Sequence, residues 1–376
     1  MTTDTVGGVW VYSLELARAL GEKGVEVALA TAGAPLSQVQ RSEASEIDNL
    51  RIFEGNYKLE WMDNPWEDIE RAGNWLLELE GKLRPDIVHL NNYAHGALPW
   101  RAPVVIVGHS CVLSWWEAVH GGEKLPPKWH RYEKEIKKGL SSAKAVLAPS
   151  IHMLTSLERH YGPIRNGKVI PNGRSPEHFF PAFKKHFIFS AGRLWDEAKN
   201  IAALDKAAAG IGWPIYVAGQ NTDPDGKKVN LRNVRMFGHI SAFSLAGWLS
   251  HASIYALPAR YEPFGLSALE AALAGCALVL GDIPSLREIW GKTAVYVPPD
   301  DIEALQTSIN SLISDARLRK KMAAFARKRA HEFTAKKMSD AYMTVYMELL
   351  EGRSAEAPRF AFNEMAAADT VFGNPV

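Results

Sequence analysis

Cysteine is scarce in this chain: Cys111 and Cys276 are the only two in 376 residues. That is too few for a disulfide framework or, alone, a zinc site, and it points to a reducing, cytoplasmic setting. A surplus of one charge is missing as well, since 43 Lys and Arg stand against 42 Asp and Glu, a formal net charge of +1. A general nucleic-acid binder needs positive charge to meet phosphates, so no nucleic-acid partner is expected. No stretch approaches the roughly 18 consecutive apolar residues of a membrane-crossing helix. The N-terminal stretch carries Asp4 and Glu15 but no basic side chain before Arg18, so it lacks the basic-then-apolar order of a secretion signal.

What is present is ordinary globular material, 47% hydrophobic and 23% charged. A prior of roughly one domain per 150 residues suggests two or three domains. Short apolar runs alternate with helical patterns along nearly the whole length. Strands are expected at Val25–Thr31, Leu50–Glu54, Asp86–Leu90, Val104–Gly108, Ala143–Ala148 and Lys168–Ile170. A second series follows at His186–Ser190, Pro214–Ala218, Val234–Phe237, Ser253–Leu257, Ala277–Leu280 and Ala294–Val297. Runs unbroken by polar alternation suit strands buried on both faces of a parallel sheet. Two such series, with helices such as Asn200–Ile211 and Leu266–Ala274 as crossovers, predict an α/β protein of two doubly wound Rossmann-like domains. Pro171, Pro176 and Pro181 with Gly173 mark the junction, giving domains over 1–172 and 173–351 and a surface tail over 352–376. The last strong helix, Ala335–Glu351, gathers Met338, Ala341, Tyr342, Val345, Tyr346 and Leu349 on one face.

The start is unusual. Gly7-Gly8 and the helix carrying Trp10, Leu14, Ala17 and Leu20 have only a few residues ahead of them, where a doubly wound domain places a whole strand. Either the start is internal to a longer protein and the first strand is truncated, or that central strand is very short; the former is the expectation.

Four features could carry chemistry. Arg260-Tyr-Glu262-Pro-Phe264-Gly265-Leu266-Ser-Ala-Leu-Glu270 puts Glu262 in the loop outside a strand's carboxyl end and Glu270 within the first two turns of the following helix. Ligands bind at that end of such sheets, and a helix N-terminus offers free N–H groups to an anion. The competing reading is a strand–loop–helix with solvated glutamates. Ser190-Ala-Gly-Arg193-Leu-Trp-Asp-Glu-Ala-Lys199-Asn200 also joins a strand to a helix, so Arg193 as a fork and Lys199 as a point charge could converge on one diphosphate. Alternatively, Asp196 and Glu197 are their local partners. Gly7-Gly8 is a further candidate anion cradle, and His109 closes the run Val104–Gly108, where a lone histidine is more often structural.

Taken together, the early GGV turn, the strand-end GHS, PNG, GR…K and E-x7-E with EPFGL resemble glycosyltransferase family 4. The resemblance runs from about Thr3 to Glu351. It implies the GT-B fold, in which two Rossmann-like domains face across a cleft and the C-terminal helix returns to the N-terminal domain. It also implies a retaining transferase that moves a hexosyl group from a UDP- or GDP-sugar to a saccharide or lipid-linked saccharide. On the matching positions, Gly7 and Gly8 would meet the phosphates and the acceptor, and Arg193 and Lys199 would clamp the diphosphate. Glu262 would bind hydroxyls of the transferred sugar, Phe264, Gly265 and Leu266 would surround it with backbone amides, and Glu270 would hold the ribose. Phe237 and Gly238 would line the base pocket, and His109 would stand beside the sugar. No metal and no other cofactor is expected, because Arg193, Lys199 and helix N–H groups can take the leaving charge.

The segment departs from the commonest family pattern in being one residue longer before Lys199 and in having Asn200 where many members have glycine. On the acceptor side, Asn92, Tyr93, Trp115 and Trp116 are candidates, together with Asn91, His95 and Trp129; aromatic packing beneath a lid-like loop at Cys111–Trp129 is the alternative. Basic runs at Lys128–Lys138 and Arg317–Arg329 leave open a peripheral contact with the cytosolic face of a membrane, against the plainer reading of solvated helix faces. Oligomeric state is not readable. Other functions compatible with the fold are a nucleotide-sugar epimerase, a phosphorylase, or a non-catalytic sugar-nucleotide-binding subunit.

Overall fold

Every strand expected from the apolar runs is present in the computed structural model, which describes residues 1–223 and 226–356. In the N-terminal lobe the strands are β1 (Thr2–Asp4), β2 (Val27–Ala32), β3 (Leu50–Glu54), β4 (Val88–Leu90), β5 (Val104–Val107), β6 (Ala145–Ala148) and β7 (Gly167–Val169). They form parallel ladders in the orders β1-β2-β3 and β4-β5-β6-β7. The two ladders meet where β1 lies beside β4, and there Asn91 replaces strand pairing: its amide N–H donates to Thr2 Oγ1 at 2.9 Å and its Nδ2 to the Thr2 carbonyl at 2.7 Å. The first strand is therefore present, three residues long, in register with Ala30–Ala32.

The C-terminal lobe has β8 (Lys185–Ala191), β9 (Ile215–Ala218), β10 (Arg235–Met236), β11 (Ala252–Leu257), β12 (Ala277–Gly281) and β13 (Val295–Val297), in the parallel order β10-β9-β8-β11-β12-β13. The order reverses between β8 and β11, so the loops leaving these two strands flank the crevice where doubly wound sheets take ligands. β11 and β12 are buried at every residue, as their continuous apolar runs require.

Helix Ala335–Glu356 crosses back to the N-terminal lobe. Met338, Tyr342, Val345 and Tyr346 share one core with Tyr12, Leu16 and Leu20 of helix Gly8–Gly21. Each such buried side chain contributes roughly 1.5–3 kcal/mol relative to exposure, enough to hold the helix on the lobe where the chain began. The expected tail over 352–376 lies outside the described residues from 357 onward. The crossing out and the crossing back touch: Arg174 N–H donates to Phe333 O at 3.1 Å and Ala335 N–H to Arg174 O at 3.3 Å. A β-carbon at Gly173 would sit 2.3 Å from Thr334 O, so only glycine allows this approach.

Among the described residues no helix is long and apolar enough to cross a membrane. The basic runs are engaged in part. Arg131 and Lys138 pair with Glu70 and Glu135, and Arg319, Arg327 and Arg329 donate to backbone carbonyls. The lid-like segment proves to be helix Val112–His120 followed by a turn and a single 3-10 turn at Pro127–Trp129.

Candidate active site

The loops after β8 and β11 bring four charged groups together. Lys199 Nζ donates to Glu262 Oε2 at 2.6 Å, with the two side chains 17% and 12% exposed. Arg193 donates to Asp196 Oδ2 at 2.6 Å and lies 5.2 Å over the Trp195 ring. Asp196 accepts on its other oxygen from the Trp115 indole of the N-terminal lobe at 2.9 Å and from Ala198 N–H at 3.0 Å. Burial pushes the Asp196 carboxyl up, but Arg193, Lys199 and these donors together hold it below its ordinary range. Asn200 has φ 55°, a left-handed backbone that glycine adopts most easily and asparagine tolerates. Its Nδ2 donates to Pro258 O and Pro299 O at 3.0 and 2.6 Å, which ties the loop after β8 to the loops after β11 and β13.

The segment Glu262–Gly265 is pinned from both sides. Ser285 Oγ donates to Glu262 O at 2.6 Å, and Ser150 Oγ, from the N-terminal lobe, donates to Pro263 O at 2.8 Å. Gly265, at φ 91°, turns the chain into helix Leu266–Leu273, whose first N–H groups are free to face an anion. Phe264 is buried edge-on against Phe333, so only its backbone can serve a ligand. Opposite stands the N-terminal turn. A β-carbon on Gly7 would lie 4.0 Å from Arg193 Cδ, and one on Gly8 3.7 Å from Leu266 Cδ1. Thus Gly7, Gly8, Arg193 and Leu266 face one another across the lobes.

His109 follows β5. Its Nε2 lies 2.9 Å from Asn91 Oδ1, and His89 Nε2 lies 3.1 Å from the same oxygen. Because Asn91 Nδ2 is committed to Thr2 O, Oδ1 must accept, so both rings carry their proton on Nε2. His89 Nδ1 then accepts from the Tyr346 hydroxyl at 2.6 Å. Burial lowers both imidazoles to about 3, so both are neutral near pH 7. Beside His109 opens a cavity of about 270 Å³ whose wall includes Asn92, Tyr93, Trp115 and Arg193; Lys199, Glu262, Gly7 and Gly8 lie outside its lining. Tyr93 spends its hydroxyl on Ser110 O at 2.8 Å.

Other expected residues lie elsewhere. Trp116 stacks on His120 with centroids 3.9 Å apart and donates to Glu123 O, away from the cavity that Trp115 lines. Adjacent helix positions differ by about 100°, so one face cannot take both. Phe237 stacks on Tyr216 (5.4 Å, 4°) and packs at a tilt against Trp248 (4.5 Å, 35°), and Gly238 gives its carbonyl to Gly219 N–H, so this pair builds an aromatic cluster on the C-terminal sheet. Glu270 is buried against Arg174 Nε at 3.0 Å, while Arg174 also meets Glu15 at 2.5 Å. A ribose would have to compete with Arg174 for that carboxylate.

Sequence reasoning missed Glu60, Asp4 and Arg174. Glu60 accepts from the N–H groups of Tyr93 and Ala94, and burial pushes it up to about 7. Asp4 is pushed up by burial to about 6 despite Val6 N–H and Arg193. Its place at the carboxyl end of a strand beside the sheet's reversal was a usable signal; Glu60 and Arg174 belong to no motif. The chain's one Asp-x-Asp, Asp223-Pro224-Asp225, falls partly outside the described residues, and Asp223 accepts from Lys227 N–H at 2.8 Å. Among the described residues no three His, Cys, Asp or Glu side chains gather as a metal cluster.

Residues 6–178 match the family described as Glycosyltransferase Family 4, and residues 175–329 match Glycosyl transferases group 1. The chain is 29% identical to a glycogen synthase of Mycobacterium tuberculosis over 342 residues, 84% of this chain and 82% of that one. It is 25% identical to a D-inositol 3-phosphate glycosyltransferase of Paenarthrobacter aurescens, over 92% of this chain and 94% of the other. A sucrose-phosphate synthase from Thermosynechococcus elongatus superposes with a TM-score of 0.80 at 20% identity, covering 93% and 99% of the two chains. The two lobes have the GT-B architecture of that structure.

Proposed function

The chain belongs to the group 1 glycosyltransferases, and from that footing we propose that it transfers a hexosyl group, with retention and without a metal, from a nucleoside diphosphate sugar to a saccharide hydroxyl. The observation that carries the reading is the Lys199–Glu262 pair, set at the reversal of the C-terminal sheet and joined there by Arg193 opposite Gly7. Bond cleavage leaves negative charge on the β-phosphate. Arg193, Lys199 and the first N–H groups of helix Leu266–Leu273 are fixed cations and dipoles for that charge, already oriented before reaction. When a diphosphate draws Lys199 away, Glu262 is released to accept from sugar hydroxyls. His109, neutral and donating to Asn91, keeps a lone pair on Nδ1 for a further hydroxyl. In the proposed front-face route the departing phosphate oxygen takes the acceptor's proton, so no protein nucleophile is assigned.

The experiment incubates the full chain with UDP-, GDP- and ADP-glucose and GDP-mannose, following nucleotide release and the product anomer by NMR. Release that collapses in Lys199→Met and Glu262→Gln, with an anomer matching the donor's, supports the reading. Inverted product, or release indifferent to both variants, refutes it.

A further inference from the structure

The residue before Lys199 and the residue before Glu262 are both buried in the core of the opposite lobe. That core packs around Val88, Leu90, Val104, Ile106 and Val146 of β4 to β6, and among the described residues only Ala198 and Tyr261 join it from the C-terminal lobe. Ala198 O accepts from Arg260 N–H at 2.8 Å and from Tyr261 N–H at 3.4 Å, so the loops after β8 and β11 enter as one unit. The Tyr261 hydroxyl accepts from Cys111 N–H at 3.2 Å and donates to Met153 Sδ at 3.4 Å. Cys111 is two residues past His109, so one phenol ties the Glu262 loop to the segment that carries the imidazole.

The far side of Glu262 is held from the same lobe. Ser150, whose hydroxyl donates to Pro263 O, is also the N-cap of helix Ile151–Tyr161 and accepts from Met153 N–H at 3.1 Å. The first two amides of that helix, those of Ile151 and His152, donate to Glu288 Oε1 and Oε2 at 2.7 and 2.9 Å. Glu288 lies on helix Pro284–Trp290, which also carries the Ser285 that bonds Glu262 O. Glu262 is thus bracketed, with Tyr261 before it and Pro263 after it both fixed by the N-terminal lobe. Backbone held on each side narrows where the carboxylate can point, and orientation set before reaction is what stabilising a developing charge requires.

Building on the transferase reading, we infer that Tyr261 is a positioning residue: from within the N-terminal lobe it holds the Glu262 carboxylate where it meets Lys199 and, in turnover, the sugar. The charged pair on the C-terminal lobe is therefore set by the N-terminal lobe. Tyr261 itself touches no substrate and acts through Glu262. Packing between lobes adds stability wherever it falls in the chain, whereas these contacts fall at the residues adjoining both members of the pair.

The test uses the full chain and the donor whose release depends on Lys199 and Glu262. Tyr261→Phe keeps the ring and leaves Cys111 N–H without its acceptor, so kcat for nucleotide release should fall about fivefold. Tyr261→Leu gives up the ring as well and should lower kcat at least about thirtyfold. The donor KM should stay within about twofold in both, because Arg193 keeps its own support on Asp196. Ile136→Val, in the same core on helix His130–Ser142, controls for lost stability and should keep the parent kcat once folded. A second readout needs no turnover. The stability coupling between Lys199 and Glu262 comes from urea unfolding of Lys199→Met, Glu262→Leu and their double variant. Measured again in the Tyr261→Phe background, that coupling should fall by about half, which a merely structural tyrosine would not cause. Parent kcat in both Tyr261 variants, an equal loss in Ile136→Val, or unchanged coupling would each overturn the inference while leaving the donor chemistry standing. Absence of Lys199-dependent release would instead remove the transferase reading beneath it, and the coupling alone would then decide whether Tyr261 holds the pair.

Discussion

Lys199 Nζ and Glu262 Oε2 stand 2.6 Å apart, joining the loop after β8 to the loop after β11. Each is the other's partner until a ligand offers Lys199 phosphate oxygens and Glu262 hydroxyls. Removing one side leaves a mostly buried charge unmatched. Lys199→Met should therefore cost about 1–3 kcal/mol in urea unfolding and lower kcat by at least roughly a hundredfold. Combining it with Glu262→Leu should restore part of the stability and none of the activity. Additive stability losses in the double variant would show that the pair is not coupled.

Arg193 pairs with Asp196 while lying over Trp195, a geometry suited to a planar fork. Arg193→Lys keeps the charge but loses the second donor and the stacking. The donor KM should rise about tenfold, with a smaller fall in kcat. An unchanged donor KM would remove Arg193 from the diphosphate site.

His89 and His109 are lowered by burial to about 3, against an ordinary value near 6.5. Between those values the unfolded chain binds more protons than the folded one, so stability contributed by keeping them neutral is present above about pH 6.5 and is lost as pH falls toward 3. Asp4 and Glu60, raised to about 6 and 7, act with the opposite sign, favouring the fold at lower pH and weakening it as pH rises through those values. Comparing His89→Gln with the parent isolates one term. The slope of unfolding free energy against pH from 6 to 4 should differ by about one proton, roughly 1.4 kcal/mol per pH unit at most. Identical slopes would mean that His89 titrates normally.

Arg174 lies between Glu15 and Glu270, all three buried. Arg174→Met would strand two carboxylates, and we expect a loss of about 3–5 kcal/mol at pH 7. Without the cation the Glu270 carboxyl, already pushed up by burial, rises further, so it binds a proton before the unfolded chain does and the deficit shrinks as pH falls toward 5. Paired denaturation curves at pH 7 and pH 5 check this; a constant deficit would indicate a packing defect.

Strands buried on both faces write themselves as continuous apolar runs, so β5, β6, β11 and β12 were legible from composition alone. Loops that carry a backbone requirement were legible too: Gly265 and Asn200 occupy left-handed positions, and few residue types fit there. What stayed hidden depends on contacts between distant segments. Nothing local in Trp115-Trp116 tells which indole reaches Asp196, 81 residues away. Glu270 reads as a ligand-facing helix residue until Arg174, from the segment between the lobes, takes it up. Glu60 stands in a loop without periodicity, and its role follows from the N–H groups of Tyr93 and Ala94 that surround it.

The outgoing and returning chain segments are laced to each other at Arg174 and Ala335 by backbone bonds, as pages are to a spine, whereas Ser150 to Pro263 and Trp115 to Asp196 join the lobes through side chains. A cover bound that way can swing but cannot slide. Substrate entry would then widen the far edge of the crevice most and the seam least. The amides of Arg174 and Ala335 should accordingly be the slowest of the inter-lobe amides to exchange with deuterium, whichever ligand is present.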